Sequence, residues 1–492
     1  MSNRGAAKQR MMHACLLMML FLAGDLSHSQ PRSAAGRTQY NILFILVDDL
    51  GAMDLGYTGS SLYRTPNIDR LASQSVVFTQ AYASSPVCSP TRAALMTGKN
   101  PARLGITTWI PGGEYQDKPL VEPAIPAQLP LSERTIAEIL KERGYRTFLA
   151  GKWHLGAEGY SPQDQGFDVN VAGGHMGQPP GGYYAPYRNP RLPDGPAGEY
   201  LTDRLTDETI RFLEGAGDEP FFAYLSYYTV HTPVQAAPRD SENLFKEAAR
   251  NNRSAPGSAE RREGAGRTKL KQDNAAYASM VYALDENVGR LLAALERLHL
   301  AGDTIVVFTS DNGGLSTLDP ALSIYEEGTP TSNEPLRAGK GWMYEGGIRV
   351  PLLIRRADRE RGGYEVTAPV ISTDLFYTIL DVAGARPPAA PDAVSLVPAL
   401  NGVPLPAQRP LLWHFPHYHG SGSTPASAVR AGEWKLVKTY ETGKLELFNL
   451  RRDPGETTDL SAREPARTVE LHALMQRMLA AENAELPKVA GQ

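Results

Sequence analysis

Unbroken runs of apolar residues recur along the chain and predict strands that are buried on both faces. The first run is Asn41–Val47, and further runs lie at 146–150, 221–228 and 304–309. A strand with one face in water alternates apolar and polar residues, so these runs favour central strands of a covered sheet.

Each of the three later runs follows a segment with helical periodicity, at 132–143, 201–214 and 274–298. Alternating helices and strands are typical of an α/β fold with a mostly parallel sheet and helices on both faces. In such sheets ligands bind beyond the carboxyl ends of the strands. We therefore expect functional residues directly after the apolar runs.

Two segments interrupt this pattern. Residues 236–271 are charged, rich in Ala, Gly, Ser and Arg and without a clear apolar period, which predicts a surface excursion or a mobile loop. Residues 386–410 are rich in Pro and Ala and indicate a connector. Beyond it, short strands at 411–415, 428–430, 434–439 and 445–449 and a helix at 466–481 are predicted.

The resulting division is a catalytic domain over residues 38–405 and a small α+β subdomain over 406–492. Residues 1–30 resemble a signal peptide with an approximate cleavage site, because basic residues precede an apolar run at 11–23. A membrane anchor is the alternative, but the run is shorter than the roughly 20 residues that span a bilayer. The sequence thus predicts a secreted or periplasmic protein without stable membrane insertion after cleavage.

Composition narrows the class of partner. The 492 residues carry a net charge of -4 and are 42% hydrophobic, so the broad basic surface that nucleic-acid binding requires is not expected. Of the two cysteines, Cys15 lies in the predicted signal peptide, which leaves Cys88 alone in the mature chain. A lone cysteine is either a buried apolar side chain or a reactive group.

The residues around Cys88 favour the reactive alternative. In Cys88-Ser89-Pro90-Thr91-Arg92 a proline that can open a helix lies between the thiol and an arginine one turn along. The beginning of a helix attracts anions. A plain helix start with a buried thiol is the other interpretation of these five residues.

Pairs of oxygen donors follow two of the apolar runs. Asp48 and Asp49 come after the first run, and Asp311 and Asn312 come after the run at 304–309. Oxygen-only ligands suit a hard cation such as Ca²⁺ or Mg²⁺ better than zinc. Either pair alone could be a turn or a helix cap.

The pentapeptide at Cys88 resembles the signature of the formylglycine-dependent sulfatases, which belong to the alkaline phosphatase superfamily. Further matching blocks are Asp48-Asp49, Gly151-Lys152-Trp153-His154-Leu155-Gly156, Ser310-Asp311-Asn312-Gly313-Gly314, Gly339-Lys340 and Tyr344-Glu345-Gly346-Gly347. The resemblance implies an alkaline-phosphatase-like mixed sheet and a separate maturation enzyme that oxidises Cys88 to formylglycine. It also implies one Ca²⁺, held by Asp48, Asp49, Cys88, Asp311 and Asn312.

The resemblance also implies roles for residues around the sulfate. Hydrated formylglycine at Cys88 is a diol that attacks sulfur, with Asp311 and Arg92 helping to ionise one hydroxyl; the alcohol leaves and a sulfo-enzyme remains. Lys152 and Lys340 match lysines that contact sulfate. Two histidines complete the set.

Of these histidines, His231 matches the residue that, with Lys340, protonates or stabilises the leaving oxygen. His154 matches the base that takes a proton from the second hydroxyl, so that the aldehyde reforms and sulfate leaves. A histidine outside such matched blocks is more often a structural or surface group.

The expected substrates are sulfated carbohydrates, for example sulfated galactose or N-acetylgalactosamine, together with aryl sulfates. A substrate rim is predicted around His175, in the Gly-, Pro- and Tyr-rich segment 173–187, and around His417 and His419, next to His414. Plain surface loops are the alternative. Rival functions are phosphonate monoester or phosphodiester hydrolysis, and non-catalytic binding of sulfated glycans.

Overall fold

The structure is a computed structural model that describes residues 39–113, 115–321, 328–357, 362–388 and 393–491. The predicted signal peptide lies outside the described residues and stays a prediction. Within these five ranges, no helix combines the length and the apolar character needed to cross a bilayer.

An eight-stranded mixed sheet lies at the centre of the fold, as the apolar runs predicted. Seven strands share one direction, and only Leu352–Arg355 runs against its neighbours. In spatial order the strands are Tyr364–Val366, Val76–Phe78, Leu352–Arg355, Thr304–Ser310, Asn41–Val47, Phe221–Ser226, Arg146–Gly151 and Val169–Val171.

The strand Asn41–Val47 shows why the apolar pattern is unbroken. All of its residues are buried, and it pairs in parallel with Thr304–Ser310 on one side and Phe221–Ser226 on the other. Leu43, with Ile45 and Val47, enters the core on one face of the sheet, whereas Ile42, Phe44 and Leu46 enter the core on the opposite face. Both faces are covered, so neither needs polar residues.

Helices cover both faces of the sheet, and the α/β prediction is confirmed. The helix predicted at 132–143 is shorter, Ile136–Glu142, because Thr135 and Glu138 form a capping box that defines its start. The helices described are Pro66–Ser73, Cys88–Thr97, Pro101–Leu104, Ile136–Glu142, Leu201–Glu214, Lys246–Ser254, Ala275–Arg297, Glu345–Ile348, Ser372–Val382, Val397–Leu400 and Pro465–Ala481.

The segment 236–271, predicted as a surface excursion or a mobile loop, contains regular elements that the sequence analysis did not predict. This segment contains the helix Lys246–Ser254 and an antiparallel pair, Glu260–Glu263 with Gly266–Lys269. The pair is completed by Thr317–Leu318, and the buried hydroxyls of Thr268 and Thr317 lie 2.8 Å apart. Because this third strand is distant in the sequence, local composition could not reveal the pairing.

The predicted C-terminal strands form a four-stranded antiparallel sheet. Its strands are Leu411–Phe415, Ala426–Ala431, Trp434–Thr439 and Leu445–Asn449. The helix Pro465–Ala481 packs on one face through residues such as Leu471 and Met475, and Trp413 on the other face packs with Tyr82 of the main domain. Two further short pairs join Ala81–Tyr82 to Val370–Ile371 and Leu120–Val121 to Lys488–Val489. The boundary near residue 405 stays a prediction.

Candidate active site

Four neighbouring parallel strands end beside one another and carry most of the predicted site residues. Parallel strands place their carboxyl ends at one edge of a sheet, so residues far apart in sequence converge there. The strand Asn41–Val47 leads to Asp48 and Asp49, Thr304–Ser310 to Asp311 and Asn312, Arg146–Gly151 to Lys152 and His154, and Phe221–Ser226 to His231.

Arg92 ties three of these strand ends together. Its Nε and Nη2 lie 2.8 and 2.7 Å from one oxygen of Asp311, and its Nη1 donates to Ser226 Oγ at 2.6 Å and to the Lys152 carbonyl at 3.0 Å. Only an arginine fork presents donors in several directions from one planar group. The guanidinium thus holds Asp311 in place. Ser226 was missed by the sequence prediction because serine at a strand end carries no specific signal.

The two lysines pair with the two aspartates that follow the first strand. Lys152 Nζ lies 3.0 and 2.8 Å from the oxygens of Asp48, and Lys340 Nζ donates to Asp49 at 2.9 Å. Burial raises the pKa of Asp48, and Lys152 offsets only part of this effect. Burial also acts on Asp49, but the Lys340 ammonium holds the pKa of that carboxyl well below its usual range.

One buried oxygen in this cluster has no protein donor. Asn312 donates through Nδ2 to Asp49 at 2.8 Å, while its Oδ1 is buried without a hydrogen-bond partner among the described residues. Ligand atoms of Asp48, Cys88 and Asp311 also lie within 4.8 Å of one another. Carboxylate and amide oxygens are the donors that a hard cation prefers, so the residues present fit Ca²⁺.

Cys88 opens the helix Cys88–Thr97 and lines a cavity of about 550 Å³. Burial raises the pKa of its thiol. Lys340, His154 and His231 line the same cavity, whereas Lys152 is fully buried and is not among the residues that line it. The arrangement brings a modifiable side chain, cationic groups and two ring nitrogens to one site.

The tautomer of His154 follows from its contacts. Its Nε2 lies 2.7 Å from the carbonyl oxygen of Ile110, which can only accept, so Nε2 carries the proton. Nδ1 is buried without a partner among the described residues. Ser89, which the sequence prediction missed, donates to the His154 carbonyl and accepts from the Ile110 amide, both at 3.0 Å. Burial lowers the pKa of His154 well below its ordinary value, so the ring is neutral.

His231 is fixed in the opposite tautomer. Its Nδ1 lies 2.7 Å from the carbonyl oxygen of Thr232 and donates to it, and Nε2 accepts from Lys340 at 3.1 Å. Burial and the Lys340 ammonium lower the pKa of His231 to about 3. The pair therefore presents a charged lysine next to a neutral imidazole.

Two of the three histidines predicted for the substrate rim lie at the cavity. His175 and His419 line the cavity, but His417 does not. The ring of His417 is buried, with Nε2 2.7 Å from Thr107 Oγ1 and Phe415 packed against it, so the prediction of a rim role for His417 is corrected. His414 is also internal, between Ser427 and the carbonyl of Glu485.

The sequence prediction missed one wall of the cavity. Trp109, Ile110 and Tyr115 come from an irregular segment without a motif, and Leu315 and Leu318 face the same space. The only sequence signal was a pair of aromatic residues flanking two glycines, which is too common to assign. Together these side chains make the wall largely apolar.

Comparison with known proteins agrees with this geometry. The Sulfatase family model matches residues 40–385, and the model of the N-sulphoglucosamine sulphohydrolase C-terminal region matches residues 338–484. The chain belongs to the sulfatase family, and it is a hydrolase of sulfuric esters.

Individual relatives align over most of their length. The chain is 32% identical to a sulfatase of Formosa agariphila, over 95% of this chain and 92% of the relative. It is 30% identical to human N-acetylgalactosamine-6-sulfatase, over 86% of this chain and 81% of the relative. The crystal structure of Ps i-CgsB, also solved in complex with k-i-k-neocarrahexaose, superposes with a TM-score of 0.71 at 30% identity, over 90% of this chain and 93% of the other.

Proposed function

We propose that this sulfatase removes sulfate from sulfated carbohydrates, and also from aryl sulfates, with a formylglycine made from Cys88 and one bound Ca²⁺. The observation that carries the proposal is the position of Cys88. It opens a helix on the cavity wall, and its Sγ lies within 4.8 Å of carboxylate oxygens of Asp48 and Asp311. A thiol that was merely structural would not need buried charges of both signs around it.

The proposed cation site consists of Asp48, Asp49, Asp311 and Asn312, with the modified side chain of residue 88 as a further ligand. A bound Ca²⁺ would supply positive charge that orients the nucleophile and the sulfate oxygens. Formylglycine at this position would supply a hydroxyl nucleophile and a second hydroxyl whose deprotonation allows sulfate to leave.

The remaining roles belong to side chains whose positions are described above. Lys340 lines the cavity with its ammonium paired to Asp49 and provides charge beside a sulfate oxygen. Lys152 and Arg92 are buried and act by holding Asp48 and Asp311 in their orientation. His231 and Lys340 together form the proton donor to the leaving oxygen, and the unpartnered Nδ1 of His154 is the base.

A sugar substrate is supported by the aromatic residues at the cavity and by the relatives. Trp109 and Tyr115 line the cavity, and flat aromatic faces pack on the apolar faces of sugar rings. The names of the human relative and of the Ps i-CgsB complex both refer to carbohydrate substrates or ligands.

We also propose that the protein is exported, and amino-terminal sequencing of the mature protein tests this.

The deciding experiment is mass spectrometry of the proteolytic peptide that contains Cys88, from protein produced in its own host. The proposal predicts a peptide lighter than the cysteine form, as conversion of a thiol to an aldehyde requires. Matured protein should then hydrolyse aryl sulfate faster than aryl phosphonate or an aryl phosphodiester. An unmodified thiol in active protein, or a preference for the phosphorus substrates, would contradict the proposal.

A variant separates catalysis from binding. Cys88→Ala should abolish turnover while the protein stays folded and still binds sulfated sugar, because the lysines and the cavity wall are unchanged. Unchanged turnover in this variant would show that Cys88 is not the precursor of the nucleophile.

A further inference from the structure

His419 reaches the cavity from the C-terminal sheet, and its ring is fixed in one tautomer. The backbone N–H of Ser421 donates to His419 Nδ1 at 3.2 Å, and the hydroxyl of Ser421 lies 2.9 Å from the same nitrogen. A backbone amide can only donate a hydrogen bond, so Nδ1 is unprotonated and Nε2 carries the proton.

The packing of the ring determines which edge faces the cavity. Gly341 lies against the Nδ1 edge, where an added Cβ would come within 2.3 Å of Nδ1. Phe415 packs against the ring at an angle of 69°. His419 is nevertheless partly exposed and lines the cavity. The Nδ1 edge is covered, and no hydrogen bond joins Nε2 to the described residues, so we infer that the edge with the Nε2–H group faces the cavity.

His419 differs from His154 and His231, the two histidines of the cavity with proposed catalytic roles. In His154 and His231 the protonated nitrogen donates to a backbone carbonyl, so both rings turn a lone pair toward their surroundings. In His419 the lone pair is used by a backbone amide, which leaves a donor. Burial and the nearby Lys340 lower the pKa of His419 to about 3, so this donor carries no charge near neutral pH.

A neutral donor suits a neutral acceptor better than a sulfate. Lys340 already provides charge for the sulfate, and Gly341, on which His419 packs, is the next residue in the chain. His419 therefore packs on the residue that follows Lys340 in the chain, in the cavity that Trp109 and Leu318 also line.

We propose that His419 determines specificity by donating a hydrogen bond from Nε2 to an oxygen of the alcohol part of the substrate, beside the scissile ester. A sugar offers a hydroxyl or ring oxygen at this position, whereas a simple aryl alcohol offers none. This inference rests on the proposed sulfatase function and specifies its substrate class. An alcohol without an acceptor would leave the desolvated N–H unpaired, which disfavours its binding.

The test compares two substrates across matched variants. The ratio of kcat/KM for monosulfated N-acetylgalactosamine or galactose to kcat/KM for para-nitrophenyl sulfate should fall about 10- to 100-fold in His419→Phe. His419→Gln, which keeps an N–H donor, should recover part of the ratio. Ser421→Ala should keep the ratio, because the backbone N–H that fixes the tautomer remains.

The outcomes separate this inference from the proposed function. An equal loss on both substrates, or no loss, overturns the role of His419, as does wild-type hydrolysis of para-nitrophenyl sulfate without hydrolysis of any sulfated sugar tested. If wild-type protein hydrolyses neither, the proposed function fails. In that case the role of His419 is tested by calorimetric measurement of sugar binding in the Cys88→Ala background. Weaker binding of a monosulfated sugar after His419→Phe supports its role, and unchanged or undetectable binding overturns it.

Discussion

His154 donates from Nε2 to the carbonyl oxygen of Ile110 at 2.7 Å, and this bond leaves the opposite nitrogen, Nδ1, as a buried lone pair without a partner in the described part of the chain. A buried acceptor of this kind costs free energy unless it is used. Burial lowers the pKa of His154 and holds the ring neutral, so the lone pair of Nδ1 is unprotonated near neutral pH.

Replacement of His154 tests this role. His154→Asn should lower kcat on aryl sulfate by about 100-fold or more, because general bases contribute a factor of this order. Asparagine suits the backbone, which has φ 59° at this residue, since it tolerates the left-handed region. Steady-state kinetics provide the measurement.

The matched control is His299→Asn. His299 has φ 56° but lies exposed after the helix Ala275–Arg297, away from the cavity. Its replacement should leave kcat within about twofold, as for most surface changes. A His154 variant with the activity of this control would exclude His154 as the base.

Arg92 should matter for stability as well as for activity. Arg92→Lys removes the fork that contacts Asp311, Ser226 and Lys152, and it leaves buried acceptors without donors. We expect a loss of about 3 kcal/mol or more in the free energy of unfolding. Urea denaturation measures it. Arg134→Lys, at an exposed ion pair with Glu142, should change stability by less than about 0.5 kcal/mol. Similar losses in the two variants would contradict the structural role of Arg92.

The proposed cation site predicts a change in metal affinity. Asn312→Ala removes the buried Oδ1, which no described residue contacts as a donor, so the Kd for Ca²⁺ should rise about tenfold or more in calorimetric titration of metal-free protein. Ca²⁺ should also raise the Tm of the wild-type protein, because a ligand that binds only the folded state stabilises it.

Asn333→Ala is the control for this titration. Asn333 is also buried and donates to the carbonyls of Gly314 and Ala338, and among the residues that the structure describes its Oδ1 has no partner either. Its loss should lower the Tm without a comparable loss of Ca²⁺ affinity. If Asn312→Ala bound Ca²⁺ as tightly as this control, Asn312 would not be a ligand.

His414 should make the fold sensitive to mild acid. Burial lowers the pKa of His414 from 6.5 to about 4. Between these pH values the unfolded chain binds a proton that the folded chain does not, so stability is complete above pH 6.5 and falls as the pH drops toward 4. The contribution is about 3 kcal/mol.

His414→Gln should flatten this part of the pH profile, measured by urea denaturation at several pH values. The glutamine variant is expected to be less stable near neutral pH, so the slope, rather than the absolute stability, carries the test. A slope equal to that of the wild-type protein would show that another group is responsible.

The local pattern determined much of the fold. The strand Asn41–Val47 and the helix Leu201–Glu214 have the predicted bounds. An unbroken apolar run and helical periodicity are both patterns within consecutive residues, so the local sequence is enough to predict them. The strand pair Glu260–Glu263 with Gly266–Lys269 was missed, because its pairing with Thr317–Leu318 connects distant parts of the chain.

The sequence by itself determined which chemical groups this protein has: the motif at Cys88, the oxygen donors after two strands, the lysines, and His154 and His231 in matched blocks. Only the tertiary structure decided how these groups face one another. Ring tautomers depend on backbone groups such as the Ile110 carbonyl and the Ser421 amide, and the cavity excludes His417 while it includes His419. Hydrogen bonds and burial join residues that are distant in sequence, and no local pattern encodes those distances.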